Sequence, residues 1–282
     1  MDPSSLLILV GAGFAAGFIA GLVGVGGGVI FAPVLFFYYQ GVGIDDSVIA
    51  PLTIGTSLLC TLIAALVSAR AQYRRGAVSS TIALQVGLYS ALAIFLMTRF
   101  VTTQSWYDGT AFQIVFSGVL LIVVVRMLFR SEDASPGDSN AKPASEPGSR
   151  ARGRLSLAAM GTAAGSVASA AGVGGGIVLV PAYHHVLGMR MISSTATSSA
   201  TIVIISLVGV LNYIWMGWNV DVPRPALGYV DWMRALLLAA PAVVTANLGV
   251  RVAHRINRRA LQLSFAAIAA FVAVRLLWNA VG

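Results

Sequence analysis

Gly17 to Pro33 reads GFIAGLVGVGGGVIFAP, and Gly165 to Pro181 reads GSVASAAGVGGGIVLVP. The two stretches stand 148 positions apart (165 minus 17) and share eight of 17 residues: Gly17, Ala20, Gly24, Val25, Gly26, Gly27, Gly28 and Pro33 against Gly165, Ala168, Gly172, Val173, Gly174, Gly175, Gly176 and Pro181. A glycine-broken apolar segment written twice marks an internal duplication, and such duplications are common in membrane transporters. The copies continue beyond the motif. Gly55-Thr56-Ser57 answers Ala196-Thr197-Ser198, Gly76 answers Gly217, and Phe112-Gln113 with Arg126 answers Leu261-Gln262 with Arg275.

Composition sets the solvent. With 57% hydrophobic and 10% charged residues over 282 positions, the chain has too few polar side chains to coat a water-soluble globule. Its mean hydropathy is +0.85, so lipid must solvate it. The net charge of +8 does not point to nucleic acid, because the arginines stand at the ends of apolar runs, where they set membrane orientation. Cys60 is the only cysteine, which excludes an intrachain disulfide and a cysteine metal cluster. Asp2 stands where a signal peptide carries Lys or Arg, and the glycine-rich segment behind it returns as an internal element, so cleavage is not expected.

Ten apolar segments follow one another: Leu6 to Val23, Val29 to Tyr39, Val48 to Ala69, Val78 to Phe100, Ala111 to Phe129, Leu155 to Ala171, Ile177 to Leu187, Met191 to Met216, Trp232 to Val250 and Leu261 to Ala280. The expected fold is an all-α polytopic membrane protein of two inverted repeats, each a glycine-broken helical hairpin plus three transmembrane helices. Residues 1–130 form the first repeat and 154–282 the second. Between them, residues 131–153 are rich in Ser, Pro, Gly and charge and read as a disordered cytoplasmic linker. If Arg70 to Arg75, Arg126 to Arg154, Arg190 and Arg251 to Arg259 face the cytoplasm, that side holds 14 of the 18 Lys and Arg. Each hairpin then enters and leaves on one face, three crossings follow, and the odd count inverts the second half. Both termini come out periplasmic.

Four of the five residues Gly24 to Gly28 are glycine, and Val29 to Tyr39 is too short to cross a bilayer. The helix must break there. Unwound backbone is tolerated at membrane depth only where protein or a wet cavity receives its polar groups. The segments beginning at Val29 and Ile177 would each expose backbone N–H groups and the positive end of a helix dipole, which attract anions. A dinucleotide fingerprint would need glycine at Val29 and Ile177, and the Gly-Lys-Ser/Thr of a P-loop is missing. Alternatively, the small residues only permit close helix crossing.

Hydroxyl clusters open a spanning helix in each half: Thr53, Thr56, Ser57 and Thr61, then Ser193, Ser194, Thr195, Thr197, Ser198, Ser199 and Thr201. Hydroxyls can donate to an oxyanion, or bond back to the carbonyl four residues earlier. The candidate substrate-binding residues are Gly26, Gly27, Gly28, Thr56 and Ser57 with Gly174, Gly175, Gly176, Thr197 and Ser198. Gln85, Gln113, Asn212, Asn247 and Gln262 are expected to face the interior and bond between helices, and Arg126 and Arg275 to snorkel. His184, His185 and His254 make no i, i+4 pair, so neither metal nor haem is expected, and no cofactor. Asp45, Asp46, Asp108, Asp221 and Asp231 lie at segment ends, which leaves no carboxylate relay inside a crossing.

The duplicated GxGGGxxxxP (Gly24, Gly26 to Gly28 and Pro33; Gly172, Gly174 to Gly176 and Pro181), the Thr-Ser that follows it, the turn Tyr73-Arg74-Arg75-Gly76 and the pair Asp231-Trp232 resemble the TauE/SafE sulfite exporter family, also called TSUP. The resemblance covers the chain apart from the linker. It implies export of sulfite or an organosulfonate such as sulfoacetate across the bacterial inner membrane. Ser169 stands where the first copy has Gly21 and stiffens the second break. The expected partners are a small anionic substrate and the lipid bilayer, with no nucleic acid and with a homodimer left open. The rival readings are an uptake transporter for thiosulfate or another small anion, and an intramembrane enzyme or redox subunit, for which nucleophile-base and haem-histidine pairs are lacking.

Overall fold

The computed structural model describes residues 3–23, 28–128, 150–222, 225–253 and 258–281. They form ten helices: α1 (Pro3–Val23), α2 (Gly28–Val42), α3 (Asp46–Arg74), α4 (Ser80–Met97), α5 (Gly109–Leu128), α6 (Arg150–Ala171), α7 (Gly176–His185), α8 (Met191–Met216), α9 (Trp232–Ala253) and α10 (Arg258–Val281). A π-helical turn, Thr98–Thr102, ends α4. α8 matches its apolar run at both ends. α3 instead continues past Ala69 through Arg70 and Arg74, because long basic side chains carry a helix on into the polar interface. α6 begins at Arg150, inside the segment read as linker, most of which lies outside the described residues.

The protein is a membrane protein with its polarity turned inward. Leu84, Leu88, Leu92 and Leu96 form an exposed apolar stripe along α4, while Thr53, Thr56, Ser57, Thr61, Ser198 and Ser206 are buried. Among the described residues, α3, α4 with its π-turn and α8 are long and apolar enough to cross a bilayer.

Contacts between the halves are reciprocal. α1 packs on α9 and α6 on α4, while α3 packs on α8 and α5 on α10. Small residues make the first two crossings close: a Cβ on Gly13 or Gly17 would collide with the backbone of α9, and one on Gly161 or Gly165 with that of α4. α3 and α8, the same element in each half, run antiparallel, with Ser68 beside Ser199, Leu58 beside Gly209 and Gly55 beside Tyr213.

These contacts define two ends. At one, α3, α5 and α9 begin: Gly109 lies against Ile49 and Asp46, and the Asp231 N–H donates to Thr56 Oγ1 at 3.0 Å. All five tryptophans, Trp106, Trp215, Trp218, Trp232 and Trp278, are exposed and belong to segments at this end. At the other, α4 and α8 begin: the Ser79 N–H donates to Thr197 Oγ1 at 3.0 Å, near Arg70, Arg74, Arg75 and Arg190.

Two expectations for polar residues change, those for Gln85 and for the bonding of Asn212. Gln85 is exposed, because it lies on the outer face of α4 beside Leu84 and Leu88. Asn212 bonds back to the Val208 carbonyl at 3.1 Å within its own helix, where that acceptor is nearest. Arg275 lies over the Phe37 ring, 5.3 Å from its centroid. Gln113 is buried, with Oε1 unpartnered. The side chains of Asn247, Gln262, Arg126 and His254 lie outside the described residues.

Candidate functional site

The second break shows why its glycines are glycines. Gly172, Gly174 and Gly175 have φ of 69°, 71° and 76°, a left-handed backbone that side chains with a Cβ strongly resist. Three bends of this kind within four residues turn α6 into α7. Three carbonyls freed at the end of α6 find side-chain donors. Tyr213 Oη donates to Ser169 O at 2.8 Å, Tyr107 Oη to Ala170 O at 2.8 Å, and Ser57 Oγ to Gly172 O at 2.9 Å. The start of α7 is different, because its capping residue is Gly175 and brings no side-chain acceptor. Protein neutralises the negative end of the break and leaves its positive end to the backbone.

The first break meets the second. Gly24 to Gly27, and with them the candidates Gly26 and Gly27, lie outside the described residues, but Gly28 is buried. A Cβ on Gly28 would stand 2.8 Å from Val173 O and 2.9 Å from Thr61 Oγ1. A Cβ on Gly174 would stand 2.6 Å from Thr61 Cγ2 and 3.5 Å from Ser206 Oγ. Thr61 therefore touches both breaks, and glycine is what lets them approach. Thr61 Oγ1 and Ser206 Oγ are buried without a hydrogen-bond partner, as are Thr53 Oγ1 and Ser198 Oγ. An unsatisfied buried hydroxyl costs about 1–3 kcal/mol, so two of them at one point need a reason.

The structure sorts the preferred hydroxyls into two kinds. Thr56 and Thr197 serve helix starts: each accepts the backbone N–H that begins a long helix of the other half, Asp231 for Thr56 and Ser79 for Thr197. Thr56 also accepts from Tyr39 Oη at 3.3 Å. Ser57 is engaged by Gly172, and Ser198 is free. Thr195, Ser199 and Thr201 bond back to carbonyls four residues earlier.

Sequence reasoning passed over two features. Ser206 belongs to no hydroxyl cluster and was invisible. Asp231, read as a residue at a segment end, forms a buried ion pair with Arg234. An acid and a base three residues apart at a helix start was the available signal. His184 Nδ1 lies 2.8 Å from the Met189 carbonyl, and among the described residues no three His, Cys, Asp or Glu side chains gather as metal ligands.

The family described as "Sulfite exporter TauE/SafE" matches residues 9–276. The chain belongs to the TauE/SafE family. It is 25% identical to a "Probable membrane transporter protein" of Haemophilus influenzae, over 96% of this chain and 97% of that one. It is 27% identical to a similarly described protein of Methanocaldococcus jannaschii, over 93% and 91%. A third relative, "Probable membrane transporter protein YunE" of Bacillus subtilis, is 23% identical over 98% and 99%. No solved structure matches. The TauE/SafE match spans both halves and both breaks, so the site where Gly28, Val173, Gly174 and Thr61 meet lies within the family's common region.

Proposed function

We propose that the chain exports a small sulfur-containing oxyanion, sulfite or an organosulfonate such as sulfoacetate, by alternating access around the meeting point of the two breaks. The observation that carries this reading is the pair of buried, unpartnered hydroxyls, Thr61 and Ser206, beside glycine backbone from both halves. Hydroxyl and amide donors can hold an oxyanion without a fixed cation, so release does not require breaking an ion pair. Thr56 and Thr197 use their oxygens as acceptors and keep a hydrogen to offer; Ser198 keeps all its capacity.

The halves are inverted repeats in this reading, supported by the antiparallel run of α3 and α8 and by the exchange of caps between Thr56 and Thr197. The arginine end faces the cytoplasm and the tryptophan-rich end the periplasm of a bacterial inner membrane, with both termini periplasmic. The protein works as a carrier rather than an enzyme. An inside-negative potential drives an anion outward by about 2.3 kcal/mol per charge per 100 mV, which fits the absence of a carboxylate from α4, α8 and, beyond Asp46 at its first residue, α3.

Proteoliposomes loaded with labelled sulfite or sulfoacetate test the proposal. The expected result is protein-dependent efflux that Thr61→Val reduces about tenfold or more, with a melting temperature equal to or above the parent's, since the substitution removes an unsatisfied hydroxyl. Absence of protein-dependent efflux, or a Thr61→Val protein that transports like the parent, overturns it. Inward flux of thiosulfate alone would favour the uptake reading.

A further inference from the structure

The start of α9 carries an ion pair that its counterpart lacks. Arg234 Nη1 donates to Asp231 Oδ2, and the two side chains are 9% and 0% exposed. Asp231 Oδ1 also accepts the backbone N–H of Arg234 at 3.0 Å. Arg234 Nε donates to Tyr38 Oη at 3.3 Å, and the guanidinium lies over the rings of Tyr38 and Tyr39, 5.4 and 5.8 Å from their centroids. Buried charges of this kind stabilise a fold weakly and, inside a membrane protein, generally mark a solute path.

The duplication supplies an internal control. Ser79 holds the place of Asp231, its N–H donating to Thr197 as that of Asp231 donates to Thr56, and Ile82 holds the place of Arg234. The same helix start is thus built once without any charge, so the pair is not a requirement of the fold. Its two members also differ in access. Asp231 is sealed, whereas Arg234 keeps some exposure, and among the described residues its Nη2 has no acceptor. A solute arriving here meets the cation. Thr56 and Ser57, neighbours on α3, join the two places, one touching Asp231 and the other Gly172.

We infer that Arg234 is a second anion-binding residue, a turn beyond the breaks, where the sulfonate or sulfite group of the departing solute displaces the Asp231 carboxylate from the guanidinium. Carboxylate and solute compete for one cation, so the anion is received and then expelled by the returning Asp231. The fork of Arg234 suits a planar pair of oxygens, and the rings of Tyr38 and Tyr39 hold it in place when the carboxylate is away. This rests on the breaks being the transport site.

The test uses the full chain in detergent, with melting temperature followed against sulfite and sulfoacetate, and the same variants in proteoliposomes. Asp231→Asn keeps the oxygen that caps α9 and removes the competing charge. It should bind sulfoacetate or sulfite about tenfold more tightly than the parent, recover in anion any melting temperature it has lost, and export more slowly. Asp231→Asn with Arg234→Gln should lose that gain and its rescue by anion. Equal affinity in the single and double variants, an Asp231→Asn protein no tighter than the parent, or no response to either anion in any variant overturns the inference. If Thr61→Val exports normally while the gain in Asp231→Asn still depends on Arg234, the break-site reading falls and Arg234 stands. If Thr61→Val abolishes export and the two Asp231 variants bind alike, Arg234 falls alone.

Discussion

Helix starts at the two ends of the bundle share a backbone design and differ in chemistry. α3, α5 and α9 begin at Asp45, Asp108 and Asp231, whose carboxylates accept the N–H groups of Ser47 at 2.8 Å, Ala111 at 2.8 Å and Arg234 at 3.0 Å. α4 and α8 begin at Ser79 and Arg190 with no side-chain cap. An aspartate cap contributes about 1 kcal/mol, and an arginine opposes the dipole at a helix N-terminus. The uncapped end has nevertheless given up that contribution. In the proposed orientation membrane sidedness accounts for the difference: basic residues mark the cytoplasmic end, and among the described residues acids collect at the other end, where they also serve the helix starts. Capping yields to topology at one end and agrees with it at the other.

The largest test of this contrast lies in the two threonines that cap across the halves. Thr56→Val orphans two buried donors, the Asp231 N–H and Tyr39 Oη, each costing about 1–3 kcal/mol. Thr197→Val orphans only the N–H of half-buried Ser79, which solvent can reach. Thermal unfolding in detergent should rank Thr56→Val well below Thr197→Val, with Thr197→Val losing about 1 kcal/mol. Equal losses would mean that the two starts are energetically equivalent and that the contrast is one of composition alone.

The helices were legible because each apolar run has its own punctuation, as with Met191 to Met216 between Arg190 and Gly217. The breaks were legible because glycine density has few explanations, and the left-handed Gly172, Gly174 and Gly175 supply the physical one. The site was legible only where the repeat pointed. Thr61 answers Ile202 in the other half and Ser206 answers Ala65, so a search for matched hydroxyls passes over the two unpartnered ones beside the breaks. It favours Thr56 and Thr197, which are matched because both halves need a cap. In the proposed site, symmetry in sequence thus marks the scaffold, and the residues at the meeting point of the breaks depart from it. The Asp231–Arg234 pair follows the same rule, with Ser79 and Ile82 opposite it.

A middle-sized test restores the missing cap. Arg190→Asp gives α8 the acid that α3 has and removes a charge from the wrong end of its dipole, worth about 0.5–2 kcal/mol as a cap. The melting temperature in detergent should rise by a few degrees. Orientation should hold, because Arg70, Arg74 and Arg75 remain at that end, and cysteine labelling of intact cells reads it. A fall in melting temperature would show that Arg190 holds something beyond its own helix start.

The smallest effect belongs to Asp45, which is exposed at the start of α3. The Ser47 hydroxyl and then the Ser47 N–H hold its carboxyl below the usual aspartate range. A depressed folded value means that the charged form contributes stability in full above the unfolded value, about 3.9, and loses it as pH falls through the lower folded value. Asp45→Asn keeps an acceptor oxygen but not the charge, so its melting temperature should sit slightly below the parent's near neutrality and converge on it in acid below about pH 3.9. Solvent screens the interaction, so the gap is the smallest of the series. Ser79→Asn should by contrast show no such convergence, because the residue it replaces carries no carboxylate to titrate. If both variants track the parent in parallel across the acid range, the aspartate at the start of α3 acts through its shape, and the charge difference between the two ends belongs to membrane orientation alone.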